Sequence, residues 1–383
     1  MIATSRRTDT FTDSVIRRMT RICNKFGAVN LSQGFPDFDP PKAITDRLAQ
    51  VAHTGPHQYA TTWGAQNTRE ALAAKIERDS GIKVNPDTEL VITCGGTEAM
   101  MCAVMSTINP GEKIAVFSPF YENYGADAIL CDAEPVYVPL HAPDFTFDPK
   151  ELEQAFVKGA RALILCNPSN PSGRVFSREE LLEIARIVEK YDAFVITDEV
   201  YEHIVYDPYK HTYFASLPGM RERTVMCNSL SKTYSITGWR IGYIFGPEHV
   251  IEAARKVHDF LTIGAAAPLQ EAVVAGLTLP PSYYAELKRS YTHHRDIFLK
   301  GLDEAGLKYF TPQGTYFVMV DISEFGYDSD MEFCLDLAQK VKVGAVPGSS
   351  FFKENEQRYI RFHFAKKDET LNQAIANLSH LRE

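Results

Sequence analysis

Residues 229–243 read SLSKTYSITGWRIGY, with Lys232 next to Ser231, Ser229 two positions earlier, and Arg240 between Trp239 and Ile241. The apolar pair Val225 and Met226 lies just upstream, so the pattern predicts a buried strand that delivers the lysine at its end. Burial penalises an ammonium and pushes a lysine toward its neutral, nucleophilic form. A neutral lysine amine can form a Schiff base with an aldehyde. Arg240 and the two serines suit an anionic group such as a phosphate. Taken alone, the stretch is better read as a surface lysine in a Ser/Thr-rich loop. The rest of the chain decides otherwise.

Upstream, the chain from Glu89 alternates short apolar runs with helical segments. LVIT (90–93), KIAVFSP (113–119), PVYVPL (135–140), RALILC (161–166), AFVIT (193–197), TVMCNS (224–229) and IGYIF (241–245) are the expected strands. They predict an α/β fold with a mainly parallel central sheet flanked by helices. In such sheets ligands sit beyond the carboxyl ends of the strands. Gly96, Tyr121, Asn170, Asp198 and Lys232 each follow a strand end, which makes them candidates for one shared site.

The Gly95-Gly96-Thr97 turn at a helix start exposes backbone N–H groups where the helix dipole favours an anion. Such turns are common, and the G-x-G-x-x-G spacing of a dinucleotide site is absent. Asp198 is a carboxylate at a buried strand end, costly unless paired. Its D-E-x-x setting also occurs in metal and acid sites, but no second acid cluster accompanies it. On their own, Asn170 in the NPSNPSG turn and Tyr121 after its strand read as turn-shaping and core residues. Asp148 before Pro149 and the S-x-x-E box of Ser177 and Glu180 predict helix starts.

Outside this core, VNLSQGFPDFDPP (29–41) is a loop with an extended lead-in, where Gly34 lets the backbone approach something closely. A long helix over 281–305 leads to a smaller C-terminal α+β unit with strands in GTYFVMVDI, VGAVP and RYIRFHFA. Arg361 alternates with Ile360 and Phe362, so it faces the other way from them, toward solvent if the strand is an edge. The expected division is an N-terminal arm and part of the small domain over 1–40, a large domain over 41–283 and a small domain over 284–383.

A chain of 383 residues, 45% hydrophobic and 23% charged, has room for a sizeable core. A net charge of −9 argues against nucleic acid or an anionic membrane as partner. No apolar run is long enough for a membrane span, and the polar first 13 residues lack a signal core, so a cytoplasmic location is expected. The 7 cysteines are scattered without C-x-x-C, as befits reduced thiols. The 11 histidines show no ligand spacing; His293 and His294, adjacent on a helix, are expected to diverge, and no metal site is expected.

Ser229, Ser231, Lys232, Gly238, Arg240 and Gly242 form the pattern S-x-S-K followed by G-x-R-x-G. This resembles the cofactor-lysine signature of the class I/II aminotransferases, pyridoxal-phosphate enzymes of the aspartate aminotransferase fold, also called fold type I. The wording LSQGFPDF is most similar to the branch with kynurenine, glutamine–phenylpyruvate and methionine aminotransferases. The motifs run in family order from about Asn30 to Phe364. The resemblance implies that Lys232 anchors pyridoxal 5′-phosphate covalently and moves the substrate's α-proton. It implies that Asp198 faces the pyridine nitrogen, Tyr121 stacks on the ring, and Asn170 and Tyr201 hold the phenolic oxygen. Gly96, Thr97, Ser229, Ser231 and Arg240 would bind the phosphate. Arg361, with Gly34 and Asn170 on the substrate side, would clamp the α-carboxylate. Tyr59 would cross a homodimer interface to the partner's phosphate.

The implied activity is ping-pong transfer of an amino group from an L-amino acid to a 2-oxo acid such as 2-oxoglutarate, within amino acid metabolism. Phe35, Tyr59 and Tyr124 point to an aromatic or methionine-like amino acid. Thr97, where some aspartate aminotransferases carry a lysine, argues against aspartate. Alternatives are an aspartate aminotransferase, a carbon–sulfur β-lyase sharing the cofactor residues, and a non-enzymatic cofactor-sensing regulator. The last needs a DNA-binding domain for which the short N-terminal arm leaves no room.

Overall fold

Apolar runs buried on both faces must find partners for every backbone N–H and C=O, and here they do so as strands of one sheet. The computed structural model describes Ile2, Asp9 and residues 13–382; the rest of the first 12 residues, where the expected arm over 1–40 begins, lie outside the described residues. The strands in chain order are β1 (Val29–Asn30), β2 (Leu90–Thr93), β3 (Lys113–Ser118), β4 (Glu134–His141), β5 (Thr146–Phe147), β6 (Ala160–Cys166), β7 (Phe194–Asp198) and β8 (Thr224–Ser229). They continue with β9 (Gly242–Phe245), β10 (Lys308–Phe310), β11 (Phe317–Asp321), β12 (Val343–Gly344), β13 (Val346–Pro347) and β14 (Tyr359–His363).

The large sheet has the order β2-β9-β8-β7-β6-β3-β4-β5. From β8 through β7, β6 and β3 to β4 every pairing is parallel. β9 runs antiparallel to both β2 and β8. IGYIF gives no hint of this, because a strand buried on both faces reads the same in either direction. Alternate residues serve opposite faces. Val91, Ile164 and Ile196 meet Met100, Ala103 and Ile251 on one side. Leu163, Leu165 and Val195 meet Leu152, Leu181 and Val188 on the other. The helices start where expected: Asp148 accepts from the Lys150 amide, and Ser177 with Glu180 forms a complete capping box.

A second, antiparallel sheet has the order β10-β11-β14-β13 and packs against helices Pro281–Glu304 and Asp368–Leu378. VGAVP is not one strand. It splits at Ala345 into β12, which pairs in parallel with β1, and β13, which pairs with β14. The residues around Val29 are thereby tied to the C-terminal segment. His293 and His294 do not diverge: their Nε2 atoms reach the same Asp368 carboxylate, at 3.0 and 3.4 Å. The carboxylate lies between two side chains only about 100° apart on the helix, so both rings can turn to it. Among the described residues no helix is long and apolar enough to cross a membrane, and no three His, Cys, Asp or Glu side chains gather as metal ligands.

Candidate active site

The parallel strands end on one edge, and a cavity of about 290 Å³ opens there, walled on its other side by Phe317 and Arg361 of the small sheet. Every residue singled out from the sequence lines it except Tyr59: Gly34, Gly96, Thr97, Tyr121, Asn170, Asp198, Tyr201, Ser229, Ser231, Lys232, Arg240 and Arg361. Tyr59 sits in a loop, 83% exposed.

One end of the cavity is built to receive an anion. Helix Gly96–Thr107 begins directly after β2, presenting its first N–H groups. Gly95, at φ 84°, leaves no room for a side chain: a Cβ there would lie 2.3 Å from Arg240 Nη2. The Arg240 guanidinium therefore packs against the turn, donating to the Thr237 carbonyl at 3.1 Å, and has no acidic partner among the described residues. Gly242 is equally constrained, since a Cβ would meet the Gly95 carbonyl carbon at 2.5 Å. Ser229 caps the single turn Leu230–Thr233 that carries Lys232, and its hydroxyl donates to Ser231 Oγ at 2.7 Å. Behind the turn, Glu98 accepts from the Cys94 amide at 2.5 Å and pairs with His258 at 2.7 Å.

Another wall carries a carboxylate without a counter-ion. Asp198, at the end of β7, accepts from the Tyr124 hydroxyl at 2.6 Å and from the Val200 amide at 3.3 Å, and among the described residues no cation lies within ion-pair distance. Burial raises its pKa, and the Tyr124 hydrogen bond works against that rise. Tyr124, which with Phe35 and Tyr59 points to the substrate type in the sequence, lines the cavity but is buried and gives its hydroxyl to Asp198. Asp127, one turn further along the same helix, is pushed up to about 7 by burial and by the charge of Asp198.

Lys232 is half-buried, not buried as its position after an apolar strand suggests, because the helical turn swings it off the strand into the cavity. Its Nζ donates to the Gly34 carbonyl at 3.4 Å and lies 6.0 and 5.8 Å from the ring centroids of Tyr201 and Tyr316. The Tyr316 hydroxyl donates to the same carbonyl at 2.9 Å. Tyr201 is buried edge-on against Tyr316 and Phe317, and burial raises its pKa well above the ordinary value.

Arg361 does not face solvent. It is 1% exposed, its guanidinium stacked between Phe317 (4.0 Å) and Phe351 (4.5 Å). It donates to Asn170 Oδ1 at 2.6 Å and to the Ser32 carbonyl at 3.2 Å, while its buried Nε has no partner. Burial lowers its pKa to about 10. A guanidinium only donates, so it takes the oxygen of Asn170 and leaves that residue's NH₂ as a donor in the cavity wall.

A buried carboxylate wanting a cation, guanidinium groups wanting anions and an amine share one cavity. The residues fit pyridoxal phosphate: a phosphate at the Gly96–Arg240 end and a protonated ring nitrogen at Asp198 would satisfy both. Sequence reasoning missed Ser14, Ile16, Arg17 and Glu122, which also line the cavity. Only the amphipathic pattern of helix Val15–Phe26 could have drawn attention to that wall.

Comparison with known proteins gives the family of the chain. The family described as aminotransferase class I and II matches residues 27–378. The probable N-succinyldiaminopimelate aminotransferase DapC of Mycobacterium tuberculosis is 37% identical over 386 residues, covering 97% of each chain. The kynurenine–oxoglutarate transaminase of Dictyostelium discoideum is 34% identical, covering 99% of this chain and 96% of its own. The solved structure of YbdL from Escherichia coli, identified with a methionine aminotransferase function, superposes with a TM-score of 0.95 at 35% identity, covering 99% of both chains.

Proposed function

Because the chain belongs to the class I and II aminotransferases, enzymes that use pyridoxal phosphate, we propose that it moves the amino group of a large neutral L-amino acid, aromatic or methionine-like, to a 2-oxo acid such as 2-oxoglutarate. The observation that carries this reading is the meeting in one cavity of the Lys232 amine, the Asp198 carboxylate and the Arg361 guanidinium, the last two without an ion pair among the described residues. When bound, the cofactor supplies an aldehyde carbon and an electron-withdrawing ring.

The rest is the work of the side chains. Arg240, Ser229, Ser231 and the N–H groups of Gly96 and Thr97 hold the phosphate. Asp198 would hold a proton on the ring nitrogen, and Tyr121 would pack on the ring face. The Asn170 NH₂ and the Tyr201 hydroxyl would donate to the phenolic oxygen. Arg361 takes the α-carboxylate of the amino acid with two parallel N–H donors, which fixes the α-carbon. The Lys232 amine would act as the base that takes the α-proton, and the ammonium so formed would be the acid that gives the same proton back. Tyr59, exposed on its loop, reaches the phosphate of a partner subunit in a homodimer. Residues 41–283 hold the cofactor. Residues 284–383 bring the carboxylate clamp, together with the segment before 41, as the pairing of β1 with β12 supports.

Phe35 and Ile16 give the cavity an apolar wall, and relatives named for methionine and kynurenine favour the same class. Borohydride reduction of the loaded enzyme followed by peptide mass analysis should place the cofactor on Lys232. A mark on another residue, or wild-type turnover by Lys232→Ala, would end this assignment. Release of pyruvate and sulfide in place of 2-oxoglutarate-dependent transfer would identify a β-lyase.

A further inference from the structure

Six charged side chains line the cavity: Arg17, Glu122, Asp198, Lys232, Arg240 and Arg361. The last four have roles in the reading above, on which this inference rests. Arg17 and Glu122 do not. Both belong to the wall that the sequence left unassigned, and the structure shows what holds that wall in place. Ile16 packs against Val346 and Phe351. Val346 is the β13 partner of Arg361 in register, and Phe351 carries the Arg361 guanidinium on its face at 4.5 Å. The first turn of helix Val15–Phe26 is thus braced against the α-carboxylate clamp, and Arg17 is the next residue along. Glu122 is engaged: its Oε1 accepts from the hydroxyl of Ser14, the N-cap of the helix. The Arg17 guanidinium makes no hydrogen bond or ion pair among the described residues.

A ping-pong exchange puts both amino acids through one cavity. An apolar wall suits the neutral partner, but a second carboxylate on the other partner needs a cation. We propose that Arg17 determines specificity by receiving the side-chain carboxylate of an acidic substrate of the glutamate and 2-oxoglutarate class, while the Ile16 and Phe35 wall serves the neutral one. The carboxylate would take a charge-assisted hydrogen bond from the Arg17 guanidinium at the cavity mouth.

The test compares L-glutamate with L-glutamine, which differ in charge but hardly in size, by following the absorbance of the enzyme-bound cofactor in single half-reactions. The readout is the ratio of kcat/KM for the two. In Arg17→Gln this ratio should fall about tenfold, the loss of one charge-assisted contact at a partly exposed site. Arg17→Lys should recover part of it, and Glu122→Gln should raise it by removing a like charge. A ratio within twofold of wild type in Arg17→Gln would overturn the proposal. So would a wild-type preference for L-ornithine over L-norvaline that Glu122→Gln abolishes, since the mouth would then select a cation. A wild-type enzyme that turns over glutamate with the expected Arg17 dependence, but neither methionine nor phenylalanine, sinks only the neutral-substrate reading.

Discussion

The Tyr124 hydroxyl, 2.6 Å from Oδ2, favours the charged form of Asp198 against the burial that raises its pKa. Removing that donor in Tyr124→Phe leaves a buried anion with one weak backbone partner, so its pKa climbs further. Turnover should fall about tenfold at neutral pH and the acidic limb of the kcat profile should move to higher pH; an unshifted limb would show that the hydroxyl does not support Asp198. Asp127 supplies a second pH effect. Its carboxyl is raised from an ordinary 3.8 to about 7 in the fold, so the native protein binds that proton more tightly than the unfolded chain. Stability therefore declines as pH rises from about 4 through 7, and the cost is full above 7. Asp127→Asn should stabilise the protein at pH 8 by up to roughly 4 kcal/mol and by almost nothing near pH 3, measured as thermal midpoints across pH. A gain independent of pH would refute the assignment.

The turn between β2 and helix Gly96–Thr107 works as an element because two glycines and an arginine interlock. Gly95 has a left-handed φ of 84°, and the Arg240 guanidinium occupies the place of its missing side chain. Gly95→Ala would both strain the backbone and push the guanidinium away from the helix start. Cofactor affinity should drop at least about tenfold, with roughly 1–3 kcal/mol lost in stability. Titration of the apoenzyme with pyridoxal phosphate checks the first, and denaturant unfolding the second. The element was legible in part. The G-x-R-x-G spacing and the Gly-Gly-Thr turn stand out in the sequence more than 140 residues apart, yet only the β2–β9 pairing, Thr93 opposite Gly242, puts one on top of the other.

Over the whole molecule, the cavity exists because two sheets meet. Arg361 comes from the small sheet and Asn170 from the carboxyl end of β6, and they join at 2.6 Å across the boundary. Gly34 closes the same seam, its carbonyl toward Lys232 and its α-carbon against Phe317, where a Cβ would lie 2.6 Å from the ring. Gly34→Ala must displace the ring on which Arg361 rests. The KM for every α-amino acid should rise about tenfold or more while cofactor binding holds. Equal loss of cofactor affinity would mean that the loop supports the phosphate end instead.

The sequence by itself determined the strand runs, the residues that follow their ends and the signature around Lys232. Those features are local: hydrophobic period, turn chemistry and short spacings survive in the order of residues. The tertiary structure alone decided that β9 runs against its neighbours and that VGAVP serves two sheets. It alone turned Tyr124 to Asp198, buried Arg361 between two phenylalanines and set Arg17 at the cavity mouth. A side chain's partner in these cases lies from tens to hundreds of residues away, and a residue's environment, not its type, decides whether it packs, binds or carries charge.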